Sequence, residues 1–148
     1  MSKPEKLPFD DTIRVRDCCL CLHVQRAARR LARHFDEALR PLGLTNGQFS
    51  LLMSLNRPAP PAMGSVAELL AMDRTTLTAA LKPLVRRGLV EVTPDPADRR
   101  SRRLALTAAG HAVLIAALPV WQAAHDGIEA ALGAGVPDAL RAGLARLA

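Results

Sequence analysis

Apolar residues at Leu20, Val24, Ala27, Ala28, Leu31, Phe35, Ala38, Leu39 and Leu42 repeat at helical spacing, which predicts a first helix of roughly seven turns. A polar, proline-bearing arm precedes it to about residue 16, and Gly43 supplies its stop. The polar face of this helix carries Arg26, Arg29, Arg30 and Arg33. Thr45 and Gln48 have the spacing of a capping box, so a second helix runs through Phe49, Leu51, Leu52 and Leu55 to the break at Pro58, Pro60 and Pro61. Ser65 and Glu68 repeat that logic for a short helix, and Asp73 caps the next, which Gly88 ends. Two short capped helices in tight succession predict a helix-turn-helix. Leu77, Leu81, Leu84 and Val85 fall on one face of its second helix, leaving Arg74, Thr75, Thr78, Ala79, Lys82 and Arg86 outward.

Pro83 withdraws one hydrogen bond and predicts a kink near the end of that helix. The run Leu89 to Thr93 reads as a strand. From Thr107 a long helix carries Val113, Leu114, Ala117, Leu118, Trp121 and Ile128 to about Leu132, with a bend expected at Pro119. Pro137 opens a last helix whose stripe is Leu140, Leu144 and Leu147. These terminal helices are apolar with little neighbouring chain to cover them. They either pack on the first helix within one chain or form a shared dimer interface, and a stripe reaching the end of the sequence favours the interface.

Charge then separates the segments. Residues 73–107 hold eight Lys or Arg against four Asp or Glu, whereas residues 108–148 hold two against three. Positive charge is therefore concentrated on the helix-turn-helix and the hairpin after it. With 148 residues the chain has about the length of one domain. It lacks both a secretory signal and a run apolar enough to span a bilayer, so a cytoplasmic location without membrane attachment is expected. Cys18, Cys19 and Cys21 crowd together at a spacing unlike a secreted disulfide framework and are expected as thiols at rest.

The stretch DPADRRSRRLALT, Asp95 to Thr107, carries the chemistry. An Asp-Pro turn opens a hairpin tip bearing Arg99, Arg100, Arg102 and Arg103, and the alternation of Leu104 and Leu106 with Arg103 and Ala105 returns it as a half-buried strand. Such a tip can enter a nucleic-acid groove. Leu44, Thr45 and Gln48, then Asp73, Arg74 and Thr76, then Gly88-Leu89-Val90, then Asp98, Arg100, Leu104, Leu106, Thr107 and Gly110 stand in the order and spacing of one family. From about residue 17 onward the chain resembles the multiple antibiotic resistance regulator (MarR) family.

The resemblance implies a mainly α fold with a small two- to three-stranded β wing, in which a winged helix-turn-helix is flanked by N- and C-terminal dimerisation helices. The expected division is an arm and first dimerisation helix over 1–42, a DNA-binding domain over 43–107, and a linking helix with a C-terminal dimerisation helix over 108–148 that forms one unit with 1–42. The implied function is a homodimeric, sequence-specific regulator of transcription, usually a repressor, released by a small ligand or by cysteine oxidation. Duplex DNA with a pseudo-palindromic operator is the expected partner, beside a second copy of the chain. Arg74, Thr75, Thr76, Thr78, Lys82 and Arg86 would meet the major groove, whose base edges suit hydroxyls and guanidinium groups. By similarity Arg100 enters the minor groove steadied by Asp98, while Arg99, Arg102 and Arg103 neutralise phosphates. Ala79 and Ala80 depart from the larger polar residues of many relatives, which shifts base reading onto Thr75, Thr76, Thr78 and Lys82.

The signal is less legible. In relatives that sense organic hydroperoxides, a cysteine near the start of the first helix is oxidised beside tyrosines, and this chain has no tyrosine. His23 and Arg16 could stabilise a thiolate instead. Redox sensing, inert packing of Cys21 on the Val24, Ala28, Leu31 face, and a metal site from Cys18, Cys21 and His23 stay open, with too few ligands evident for the metal. For a small aromatic or phenolic effector, the resemblance places the pocket between the dimer helices and the winged helix, with His23, Arg26, Phe49, Met53 and Trp121 as candidate liners; ordinary core packing explains the last three equally well. No cofactor is implied. An enzyme is disfavoured because no phosphate loop, nucleophile motif or paired carboxylates occur in a recognisable setting. A redox-insensitive activator and a winged-helix protein-interaction module are the alternatives; the cationic face of Arg74, Lys82 and Arg86 argues against the latter.

Overall fold

A computed structural model describes residues 5–148. Seven helices and a two-stranded sheet follow one another as α1 (Phe9–Cys18), α2 (Leu20–Leu39), α3 (Asn46–Leu55), α4 (Met63–Leu69), α5 (Arg74–Arg86), β1 (Val90–Pro94), β2 (Arg102–Leu106), α6 (Ala108–Leu132) and α7 (Val136–Ala145). The mainly helical winged fold expected from the sequence is therefore present. Its helix starts are set by local side chains. Thr45 Oγ1 accepts from the Gln48 N–H at 3.1 Å while Gln48 Oε1 accepts from the Thr45 N–H at 3.2 Å, a reciprocal capping box on α3. Asp73 and Thr107 cap α5 and α6 by accepting from the Thr76 and Gly110 N–H groups.

Three boundaries differ from the sequence reading. The arm is partly helical: residues 9–18 form α1, opened by Pro8 and carrying Asp10 and Asp11 in the first turn and Arg16 in the last, charges that suit the helix dipole. The first long helix closes at Leu39, and Arg40–Leu42 tighten into a 3-10 turn before Gly43, whose φ of 69° favours a residue without a Cβ. The short helix α4 begins at Met63, and Ser65 does not cap it. Ser65 Oγ instead takes a hydrogen bond from Arg57 Nη1 at 2.9 Å. Pro83 and Pro119 both lie inside helices that run on past them.

One core joins α3, α4, α5, the wing and α6. Leu39, Leu52, Val66, Leu77, Leu84, Leu104 and Ala117 are fully buried in it. Each leucine so placed stabilises the fold by about 1.5–3 kcal/mol relative to exposure. The strands β1 and β2 pair antiparallel, Val90 with Leu106, Val92 with Leu104 and Pro94 with Arg102. A single bridge between Ala62 and Arg103, with the Leu104 N–H donating to the Pro61 carbonyl at 3.0 Å, adds the segment before α4 as a third, minimal strand.

The passage from wing to α6 is tightly closed. The Leu89 carbonyl accepts from the Thr107 N–H at 3.1 Å, and Thr107 Oγ1 donates to the Gly88 carbonyl at 2.6 Å. A Cβ on Gly110 would stand 2.2 Å from the Leu89 oxygen, so only glycine fits there. The terminal helices contrast with this. α2 packs on α3 and α6, and α7 packs on α6, yet α1 and α7 bury no residue and α2 buries only Leu39. Among the described residues no helix is long and apolar enough to cross a membrane.

Candidate nucleic-acid interface

The start of α5 is exposed and well defined. Asp73 accepts the Thr76 N–H at 2.7 Å, and that backbone hydrogen bond, the largest influence, holds the Asp73 carboxyl below its ordinary value. Arg74, Thr75, Thr76 and Thr78 are exposed around this end, and Lys82 and Arg86 continue the row at helical spacing. Thr78 is only partly free, because its hydroxyl donates to the Arg74 carbonyl at 2.8 Å. Lys82 and Arg86 rim an apolar cleft of about 420 Å³ between α5, Met63 and Val92.

The wing tip is fixed by two carboxylates. Asp95 Oδ1 accepts the Ala97 N–H at 2.9 Å, and Asp98 Oδ1 accepts the Arg100 N–H at 2.9 Å, the local turn chemistry that Asp offers through a short side chain. Asp98 thus steadies the Arg100 backbone and leaves its guanidinium out in solvent. The tip closes with the Asp95 N–H donating to the Ser101 carbonyl and the Ser101 N–H to the Asp98 carbonyl. Arg99, Arg100 and Arg102 are exposed. Arg102 Nη1 leans on the Arg99 and Ser101 carbonyls at 3.2 Å each.

Arg103 does something the sequence did not foretell. Its Nε donates to Asp95 Oδ2 at 3.1 Å and its Nη1 to the Pro60 carbonyl at 2.9 Å, which ties the wing root to the loop before α4. Asp95 is 7% exposed, so this pair is largely desolvated on the acid's side, where losing its partner would leave a buried charge. Arg103 is therefore engaged as a brace through Nε and Nη1, with its side chain still 37% exposed. The signal available beforehand was Asp95 itself, which lies two residues beyond the Thr93 that pairs with Arg103 and so on the same face of the hairpin. Arg87 is a second brace missed from the sequence, with Nη1 donating to the Gly43 carbonyl at 2.7 Å and so linking the end of α5 to the turn before α3.

The five candidate effector residues do not come together in one protomer. Phe49, Met53 and Trp121 line a cleft of about 390 Å³ with Leu69, Leu70 and Leu118. Trp121 stacks on Phe49 at 6.0 Å and on His125 at 4.7 Å between ring centroids. His23 and Arg26 lie elsewhere, in a groove along α2. Their sequence phase explains the split: both sit across the helix from Val24, Ala28 and Leu31.

Cys18 and Cys21 are exposed and Cys19 is partly so. The packing role considered for Cys21 is thus not met inside the protomer. Neither cationic neighbour reaches a sulfur: His23 Nδ1 bonds the Cys19 carbonyl at 2.7 Å and Arg16 Nε pairs with Asp17 at 2.7 Å. The group that does reach one is Gln25, whose Nε2 lies 3.3 Å from Cys21 Sγ. Among the described residues no three His, Cys, Asp or Glu side chains converge as metal ligands.

Comparison with known proteins places this geometry. The MarR family model matches residues 44–101. The transcriptional repressor NicR of Pseudomonas putida is 31% identical over 96 residues, 65% of this chain and 61% of NicR, so the matched stretch spans less than two thirds of that relative. The structure of the Mycobacterium tuberculosis transcriptional regulator MosR in complex with DNA is 39% identical, with a TM-score of 0.79, over 87% of this chain and 92% of MosR. That of the transcriptional repressor CouR bound to a 23-mer DNA duplex is 31% identical, with a TM-score of 0.80, over 97% of this chain and 99% of CouR.

Proposed function

The chain belongs to the MarR family, and we propose that it is a homodimeric transcriptional regulator, acting as a repressor, that reads a pseudo-palindromic duplex operator. The observation that carries this reading is the wing tip, where Asp95 and Asp98 fix the turn while Arg99, Arg100 and Arg102 stay exposed. In this reading α5 enters the major groove by its N-terminal end, where Arg74, Thr75 and Thr76 meet base edges and the helix dipole favours phosphate. Thr78, Lys82 and Arg86 extend the contact along the helix. Arg100 enters the adjacent minor groove, and Arg99 and Arg102 neutralise phosphates. Arg103 holds the wing in place. Residues 43–107 then act as the reading unit, and 1–42 with 108–148 as the dimerisation unit.

Dimerisation is supported by apolar side chains that one protomer leaves in water: Leu20 is 71% exposed and Leu147 is 70% exposed, with Leu140 and Leu144 about half exposed. Release from DNA is assigned to a small aromatic ligand in the cleft of Phe49, Met53, Leu118 and Trp121, whose lining is apolar with stacked rings at its edge. Accessible Cys18 and Cys21 favour oxidation as the second reading.

Fluorescence anisotropy with labelled duplex from the region beside the gene tests the reading. Arg100→Ala should lower affinity by about 5- to 100-fold at fixed salt, the range of one specific groove contact, with the fold unchanged. Unaltered affinity would overturn the wing assignment. Loss of binding after stoichiometric hydroperoxide, restored by dithiothreitol, selects the cysteines over the cleft.

A further inference from the structure

Arg26, Arg29, Arg30 and Arg33 line an open groove of about 480 Å³ on α2, together with His23 and Ala27. At the helical period, Val24, Ala28, Leu31 and Phe35 fall on one side of α2, and Arg26 and Arg33 fall directly across from them, flanked by Arg29 and Arg30. The apolar side meets Trp121 of α6 and Phe49 and Leu39, so the cationic side is turned away from the protomer's own core. A helix surface is ordinarily convex. Here long side chains raise an open groove, with Ala27 as a low point between His23 and Arg30.

No acid neutralises this cluster among the described residues. Arg14, Arg16, Arg103 and Arg141 each pair with a carboxylate, and none of the four arginines of the groove does. Arg26 with Arg30 and Arg29 with Arg33 are like charges one turn apart, an arrangement that costs helix stability unless an anion intervenes. The His23 ring is held in place from behind through Nδ1 on the Cys19 carbonyl. The arms of Arg26 and Arg33 are rooted roughly 10 Å apart along the axis, a span that suits a short chain of phosphates. Guanidinium groups grip phosphate oxygens in pairs.

We propose that this groove is an anion site that binds the oligophosphate of a small molecule, separate from the DNA-facing cations of α5 and the wing. The short span between Arg26 and Arg33, set on α2 and apart from α5 and the wing, favours a compact anion over the long, evenly spaced phosphates of a duplex. The proposal rests on α2 alone and stands whether or not the chain is a repressor.

The test is calorimetric titration of the full chain with sodium tripolyphosphate at near-physiological salt. The wild type should saturate at one tripolyphosphate per groove. Arg26→Gln with Arg30→Gln, which keeps helix propensity, should weaken binding by about tenfold or more, the effect of losing charged hydrogen bonds. Arg26→Lys with Arg30→Lys should weaken it less, since each ammonium keeps the charge and loses the paired grip; this variant also guards against a folding defect in the first. Arg99→Gln with Arg100→Gln should leave it unchanged. Absence of saturation in the wild type, full binding by the Arg26/Arg30 glutamine variant, or loss of tripolyphosphate in the wing variant would each overturn the proposal. So would a shallower salt dependence of duplex binding in the Arg26/Arg30 variant, because that assigns the cluster to DNA phosphates.

Discussion

The winged segment and the terminal helices solve the problem of their apolar residues in opposite ways. In α3, α4, α5 and the wing the leucines close on one another within a single protomer, and Leu52, Leu77, Leu84 and Leu104 reach full burial. In α1, α2 and α7 almost nothing is buried, although α2 and α7 carry apolar stripes as regular as those of the winged segment. Regular periodicity therefore states only that a face is meant to be covered. What covers it is a separate matter: around α5 it is the rest of the described chain, and along α2 and α7 it is not.

Breaking the self-sufficient half should have the largest effect. Leu104→Ala empties a position with no solvent exposure and should cost about 2–5 kcal/mol, a large part of the stability of a small domain. Denaturant unfolding would read this directly, and a loss under about 1 kcal/mol would mean that the wing is not part of the core. Gly110→Ala strikes the same half through overpacking. A methyl 2.2 Å from the Leu89 carbonyl forces the start of α6 off β1, and about 1–3 kcal/mol is expected by thermal melting.

The terminal half should respond differently. Leu140→Glu with Leu144→Glu should leave the secondary structure intact and convert a dimer to monomers in sedimentation velocity, with duplex affinity falling as the second half-site is lost. A variant that stays dimeric would restrict the interface to α1 and α2. The smallest effect concerns acid. The Thr76 N–H depresses the folded-state pKa of Asp73, so the cap's stabilisation is complete above the ordinary carboxylate range and is lost as pH falls through the depressed value. Asp73→Asn should flatten that part of the acid-stability curve, as followed by circular dichroism between neutral pH and the acid transition.

Capping chemistry was legible where it is local: Thr45, Asp73 and Thr107 announce α3, α5 and α6 because each side chain serves an N–H only three residues away. Ser65 offered the same signal falsely, since its hydroxyl is taken by Arg57 from outside the helix. α1 stayed hidden because it has no apolar stripe to reveal it, only a proline start and charges matched to its ends. Within the candidate interface, the exposed Arg99, Arg100 and Arg102 could be read from a turn followed by a run of charge. Arg103 could not, because its role depends on Asp95 and on the Pro60 carbonyl, a partner 43 residues away in sequence. The effector residues failed for a similar reason: His23 and Arg26 share a helix with Leu31 but not a face.

The Thr107 to Gly110 junction has a mechanical corollary. With the first turn of α6 pinned to the backbone of Leu89, that helix cannot roll without dragging the hinge of the hairpin. Trp121 lies eleven residues farther on, roughly 16 Å along the same rod. The indole and the hinge of the hairpin thus belong to one continuous helix, which meets the wing most closely at Gly110.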